Sequence, residues 1–197
     1  MNRTALLRLL LCGALCAYAV RLWLHRGLDP AQVTCRIIGP ITWEENWRTP
    51  QENVLPELRT GDVLVTLSAH SLGWRHGHCA LVLDPDTTLE ATTLGRPAAF
   101  RTTDGWNRYP TLWLLRPRTP LSAEEQEALL SVAEGLSGLP YALLAPKQLP
   151  ASGAHCAALV WYVYAGALEE DIDPEGGWQA LPGSLLRSSF FEVTQLR

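Results

Sequence analysis

The sequence predicts an α+β domain in which a small antiparallel sheet packs against helices and the most informative helix comes late. Three observations predict it. Short apolar runs bounded by turn residues cluster between residues 60 and 116. Helix-start signals follow only after that cluster, beginning with Ser122-Ala123-Glu124-Glu125, where Ser122 is the N-cap and Glu125 completes a capping box. A second helical string, from Ala154 to Tyr162, is apolar almost all round and therefore belongs in the core.

The chain opens on Arg3 and Arg8, followed by a largely apolar run from Leu9 to Val20. That run is too short to span a bilayer comfortably. It fits a signal-peptide core, with Ala17-Tyr18-Ala19 as a small-x-small cleavage site. Extended to Leu24, with Arg21 snorkelling, it fits a membrane anchor instead. Residues 1–24 are therefore expected to be a signal peptide or a short N-terminal membrane anchor, in preference to a cytoplasmic amphipathic helix. The expected location is extracytoplasmic (periplasmic or secreted) or membrane-anchored, with membrane association through the N-terminus. Residues 25–57 carry Pro30, Gly39, Pro40, Pro50 and Pro56 and read as an irregular lead-in, anchored by Trp43 and Trp47.

One domain is expected over residues 58–197. Thr60-Gly61-Asp62 is turn chemistry, and Asp62 reads as a turn residue. Val63 to Leu67 is a strand, residues 68–77 a loop, and residues 78–83 a second strand. Asp84-Pro85-Asp86 turns into a third strand over residues 87–92, and a fourth covers residues 111–116. The capped helix runs to about Leu136, with Gly138 near its C-terminus. Leu139 to Gly153 forms a loop, and the apolar helix runs from Cys156 to about Tyr164. Residues 169–183 are a polar loop, Ser184 to Arg187 a last helical turn, and Phe190 to Leu196 a terminal strand.

Composition excludes some function classes. With 197 residues and 47% apolar side chains, the chain can bury a sizeable core. A net charge of −4 gives no reason to expect a nucleic-acid partner. The eight tryptophans are expected in the core or along a groove. Cleavage of a signal would leave Cys35, Cys79 and Cys156, an odd number, so at least one thiol stays free or pairs between chains. A Cys35–Cys79 disulfide competes with the plainer reading of Cys79 as a small buried strand residue.

Cys156 at a helix start and His78 at the head of a strand are the two halves of a thiol-nucleophile site. The helix end lowers the thiol pKa, and a nearby imidazole takes the proton. His76 is a competing base. His76, His78, Cys79, His155 and Cys156 together also admit a zinc reading. It is disfavoured because adjacent residues rarely ligate one ion, so no metal and no cofactor are expected. A thiol-redox role is disfavoured by the lack of any Cys-x-x-Cys after the N-terminal segment.

Gly61-Asp62-Val63-Leu64-Val65, Gly77-His78-Cys79-Ala80-Leu81-Val82, Thr88-Leu89-Glu90-Ala91 and His155-Cys156-Ala157-Ala158-Leu159-Val160, in that order, resemble the circularly permuted branch of the NlpC-type papain-like cysteine hydrolases. That branch holds the YiiX-like proteins and the lecithin:retinol acyltransferase group. Leu181-Pro182-Gly183-Ser184-Leu185-Leu186-Arg187-Ser188 resembles the Pro-containing segment near the end of YiiX-like chains. The resemblance covers residues 58 to 190 and implies a permuted papain-like fold. It also implies a cysteine nucleophile, Cys156, a histidine base, His78, and a polar residue orienting the base, Glu90. Tyr141 matches the family tyrosine that lies near the substrate. The chain departs from the family at Ala157, where serine is usual.

The expected function is acyl transfer by a thiol hydrolase on peptide amide bonds such as those of cell-wall peptides. The alternatives are a lipid acyl-ester hydrolase or acyltransferase, and a non-catalytic binding domain on the same fold. The expected partner is a peptide or lipid acyl substrate. One expectation carries its own difficulty. A flat hairpin turning over residues 85–87 would set Glu90 opposite Val82, about 13 Å along the strand from His78. Contact between them then requires strong coiling, a bulge or another pairing.

Overall fold

A computed structural model describes residues 53–71, 74–173 and 177–197 of the chain. The N-terminal signal or anchor, Cys35, and the lead-in up to residue 52 lie outside the described residues. No helix among the described residues is long and apolar enough to cross a membrane.

The apolar run after Gly61-Asp62 becomes strand β1 (Val63–Ser71), which pairs antiparallel with β2 (Trp74–Asp84). β3 (Thr87–Glu90), β4 (Ala99–Thr102), β5 (Trp113–Pro117) and β6 (Phe191–Gln195) complete an antiparallel sheet of order β4-β3-β2-β1-β5-β6. A 3-10 helix (Thr103–Arg108) follows β4. The α-helices are α1 (Ala123–Leu136), α2 (Cys156–Leu168) and the single turn α3 (Pro182–Leu185). The class is α+β, as the sequence predicts.

Alternation along the central strands sorts the core onto two faces. Val63 and Val65 of β1 and Cys79 and Leu81 of β2 pack with Leu129 and Ala133 of α1, Leu159 and Val163 of α2, and Leu185 of α3. Leu64, Ala80 and Val82 point the other way, to Trp106 of the 3-10 helix and to Leu58 and Leu112. Burial on both faces explains why these strands read as unbroken apolar runs. Residues 53–57 also reach this second face, where Val54 and Leu55 pack against it.

Several boundaries differ from the sequence reading. The loop expected over residues 68–77 is largely strand, because β1 and β2 extend as a long hairpin with Ala69 paired to His76. Ladder bonds between backbones do not require apolar side chains, and the buried Ser68 hydroxyl is satisfied by Thr66 at 3.0 Å and Thr111 at 2.9 Å. β4 and the 3-10 helix were not foreseen. α2 continues past Gly166, whose missing side chain lets Val132 of α1 approach to 3.3 Å of where a Cβ would stand. It ends at Glu169, which adopts a left-handed φ of 57°. The last helical turn falls over Pro182–Leu185, with proline in its first turn.

The Ser122 capping box forms as read: Glu125 N donates to Ser122 Oγ, and Ser122 N to Glu125 Oε2. Gly138 follows α1 at φ 87°. Asp62 is a buried turn carboxylate. It accepts from Arg59 N at 2.9 Å and is held by Arg116 of β5 through contacts of 2.9 and 2.6 Å.

Candidate active site

The sheet and α2 bring His78, Glu90 and Cys156 together. His78 lies near the start of the well-packed half of β2, directly after Gly77. A Cβ at Gly77 would stand 3.1 Å from Pro182 Cβ, so glycine is what lets α3 lie against the strand there. Cys156 is the first residue of α2, whose cap is His155. Cys156 as a residue keeps 9% exposure, whereas Cys79 has none. Both are free thiols.

The hairpin between β2 and β3 resolves the Glu90 difficulty. Its turn contains two residues, Pro85 and Asp86, with Asp84 opposite Thr87. The pairing then shifts by one residue, so that Val82 faces Thr88 and Leu81 faces Leu89. This is a β-bulge at Leu83, one of the devices that contact requires. Continued, the register sets Glu90 opposite Ala80, two residues from His78 rather than four. That is about 7 Å along the strand, within reach of two long side chains. His78 Nε2 lies 2.9 Å from Glu90 Oε2, and both side chains are buried.

Two further donors complete the carboxylate. Thr88 Oγ1 donates to Glu90 Oε1 at 2.9 Å, and Trp106 Nε1 donates to the same oxygen at 3.0 Å. The Trp106 ring stacks on His78 with centroids 5.3 Å apart and planes within 9°. Glu90 thus orders the base through one oxygen while the other is saturated. Sequence reasoning missed both residues. Thr88 carries a signal, since it stands two residues from Glu90 on the same strand face. Trp106 carries none, because only the fold brings it there.

Charge in the site follows from these contacts. Burial disfavours a charged His78, but interactions with Cys156 and Glu90 outweigh it, and His78 is held well above its ordinary value. Burial also opposes the charge on Glu90, yet the His78, Trp106 and Thr88 contacts hold its carboxyl below the usual range. The Cys156 thiol is pulled well down, first by hydrogen bonding from Cys79 and then, against burial, by His155 and His78. Burial, then the neighbouring Cys156, drives Cys79 well up. Because Glu90 occupies His78 Nε2, the nitrogen left for the thiol is Nδ1. The contacts thus push toward charge on Cys156 and His78 and away from charge on Cys79.

Tyr141 is half-buried and tied to the same corner. It forms a parallel bridge with Ala154, while Ala142 N donates to Ala154 O and Ala154 N to Pro140 O, each at 3.0 Å. Burial raises its hydroxyl, and the Cys156 charge adds to that. The segment from Leu139 to Gly153 is fastened further along. Tyr162 donates to Pro146 O at 2.7 Å, and Lys147 bridges to Asp171 at 3.0 Å. The backbone of His76 lies in β2 and pairs with Ala69, so it is not the loop residue that the sequence suggested. Its side chain lies outside the described residues.

The fold is that of a known class. No protein-family model matches this sequence, and no curated protein matches it. Among solved structures, the metalloprotein YiiX of Escherichia coli O157:H7 superposes with a TM-score of 0.57 at 16% identity, covering 70% of this chain and 97% of that one. At that identity the likeness is one of fold. The chain has a YiiX-like α+β fold.

Proposed function

We propose that the chain is a thiol hydrolase that cleaves peptide amide bonds by acyl transfer at Cys156. The observation that carries the reading is the buried contact of His78 Nε2 with Glu90 Oε2 at 2.9 Å, which leaves His78 Nδ1 for the thiol. In this reading the fold is a permuted papain-like one, with the histidine strand preceding the cysteine helix. The chain works on an exported or membrane-anchored protein's side of the envelope, on substrates such as cell-wall peptides.

The chemistry runs in two halves. The Cys156 thiolate attacks the carbonyl carbon, and the oxyanion forms beside the Cys156 N–H at the start of α2. Protonated His78 gives its Nδ1 proton to the leaving amine, the C–N bond breaks, and a thioester remains. Neutral His78 then takes a proton from water, hydroxide adds to the thioester, and the thiolate leaves. Glu90 keeps the proton of Nε2 in place throughout and stabilises the imidazolium. Tyr141 flanks the acyl group.

The neighbour's metal raises the question of an ion here. Among the described residues no three His, Cys, Asp or Glu side chains are grouped to hold one. His78 Nε2 is engaged by Glu90 and His155 Nε2 by Gln179. Among the described residues the donor set does not fit an ion, and no step is routed through one.

A second reading, a lipid acyl ester as substrate, is favoured by one feature. Leu143, Leu144 and Trp178 are 68%, 71% and 61% exposed on the segments joined to His155 through Gln179. Hydrolysis of vesicle-borne esters without cleavage of peptide amides would select it.

The test is the rate of iodoacetamide labelling of Cys156 against pH, resolved by peptide mass, in wild type and His78→Ala. The expected midpoint in wild type lies well below the ordinary value of about 8.5, and it moves up in His78→Ala. Cys79, with no exposure, stays unlabelled. An ordinary midpoint in the wild type would overturn the reading.

A further inference from the structure

Resting on the thiol-hydrolase reading, we propose that Arg101 is a carboxylate subsite of the same cleft, so that the peptide cleaved at Cys156 carries a free carboxylate near the scissile amide. Arg101 of β4 is the partner of Thr88 on β3, so its side chain stands on the face that carries Thr88 and Glu90. From there the guanidinium reaches Thr92, two residues past Glu90, with Nη2 3.4 Å from Thr92 Oγ1. Carried past the end of β3, the pairing of Leu81 with Leu89 sets Thr92 level with His78. Burial of Ala91 in the same cluster as Cys79 fits that register. The loop that follows is fastened to the segment leading to Tyr141, because Gly138 N donates to Ala98 O and Ala98 N to Leu139 O, each at 2.8 Å. The guanidinium thus lies at the end of the sheet that holds His78.

That guanidinium is largely unspent. An arginine offers five N–H donors in a planar fork. Arg116 gives its own to Asp62, Arg118 to the Ser189 carbonyl, and Arg197 to the carbonyls of Asn107 and Tyr109. Arg101 meets Thr92 at the long limit of a hydrogen bond. Its side chain is half-buried, yet it takes part in none of the ion pairs among the described residues. Its Nε, closed off from solvent, is the one buried side-chain nitrogen or oxygen among them without a hydrogen-bond partner. A buried donor left unpaired is costly, and a half-buried cation without an anion more so. The substrate supplies the missing anion. A carboxylate matches the guanidinium fork with its two oxygens, and the Thr92 hydroxyl, which accepts from Nη2, has a proton to give to the same anion.

The test on the full chain uses thiol reagents of increasing reach: iodoacetate, maleimidopropionate and maleimidohexanoate, each against its neutral carboxamide. Labelling of Cys156 is resolved by peptide mass, and each acid-to-amide rate ratio is referred to that of free cysteine. In the wild type at least one reagent should give a ratio about tenfold above the free thiol, as expected for a hydrogen-bonded charge. Arg101→Met should remove most of that preference. Arg101→Lys, which keeps the charge without the fork, should restore part of it. Both variants are scored with the far-UV circular dichroism of the wild type. The first arm needs no variant: a wild-type ratio no higher than that of free cysteine at every length overturns the inference. A preference that survives in Arg101→Met overturns it too, since the cation is then His78. Both results leave the hydrolase reading standing where the iodoacetamide midpoint of Cys156 is low. An ordinary midpoint in the wild type sinks that reading and this inference together.

Discussion

Two buried carboxylates, Asp62 and Glu90, sit on the same sheet with basic partners and do opposite work. Asp62 caps the turn into β1 and meets Arg116, a cation that keeps its charge at every relevant pH. Glu90 meets His78, whose proton can leave, and His78 in turn faces a thiol. The first pair fastens β5 to the turn before β1. The second is built so that a proton has somewhere to go. Burial and a short contact alone therefore do not mark a functional pair. In the proposed reading, the titratable partner and the thiol behind it do.

The sharpest break in this comparison is Glu90→Gln against Asp62→Asn. Thr88 and Trp106 both donate to Glu90 Oε1, so the glutamine oxygen must occupy that place. Its amide nitrogen then faces His78 Nε2, which becomes an acceptor and moves the proton of the neutral ring to Nδ1. A base protonated toward the thiol cannot accept from it. Single-turnover acylation of Cys156 by a p-nitrophenyl ester should fall by about 10²- to 10⁴-fold. Asp62→Asn should leave that rate within about twofold, as expected for a residue outside the site. Equal losses in the two variants would dissolve the distinction.

Stability should show the reverse. Asp62→Ala strips Arg116 of its partner and leaves the Arg59 amide unpaired. The expected cost is about 3 kcal/mol, the low end for a buried pair, because the Arg116 side chain is 28% exposed. A fall in Tm of about 6–12 °C by calorimetry is the corresponding readout. Arg116→Met in the same background should add little, since the two residues act as a unit.

How much of this was legible in the sequence divides along the same line. Local chemistry was readable: the Ser122 cap, the turn at Gly61-Asp62 and the apolar α2 follow from neighbours in the chain. The placement of Cys156 at a helix start and of His78 in a strand was readable from the strings around them. The register that joins Glu90 to His78 was not, because one bulged residue at Leu83 decides it and no side chain there advertises a bulge. Trp106 and Gln179 were invisible for a different reason. Each reaches its partner through tertiary packing, sixteen residues from Glu90 in one case and twenty-four from His155 in the other. β4 was missed because its four residues, Ala99 to Thr102, carry no clear alternation.

Trp106→Phe is a gentler probe of the Glu90 side. It keeps the stack on His78 and removes the donor to Glu90 Oε1. Thr88 remains, so the carboxylate keeps one partner on that oxygen. Acylation of Cys156 should slow by about tenfold or less, consistent with losing one hydrogen bond to a charged group. A loss as large as that of Glu90→Gln would mean that Trp106 holds the base by packing rather than by tuning the carboxylate.

The smallest expected effect, and the most specific, is the pH profile of stability. His78 is raised in the folded chain above 6.5, so its share of stability is full below 6.5 and is lost as pH rises through the folded value. Cys156 is depressed below 9.0, so its share is full above 9.0 and is lost as pH falls through the folded value. The two shares oppose each other: the raised His78 favours stability toward acid and the lowered Cys156 toward alkali. As pH falls through the folded value of Cys156 the thiolate is protonated, and stability should fall with acid by up to about 1.4 kcal/mol per pH unit. Above 9.0 stability should fall again, helped by Cys79, whose raised thiol stays protonated when folded. Urea unfolding at pH 5.5, 7.5 and 9.5 reads the profile, with Cys156→Ala as the control. In that variant the acid fall above the carboxylate range should vanish, because no thiolate remains to be protonated. If the variant keeps the same acid slope, the charge pair is not what shapes it, and His78 would stand beside a neutral thiol, as passive as Arg116 beside Asp62.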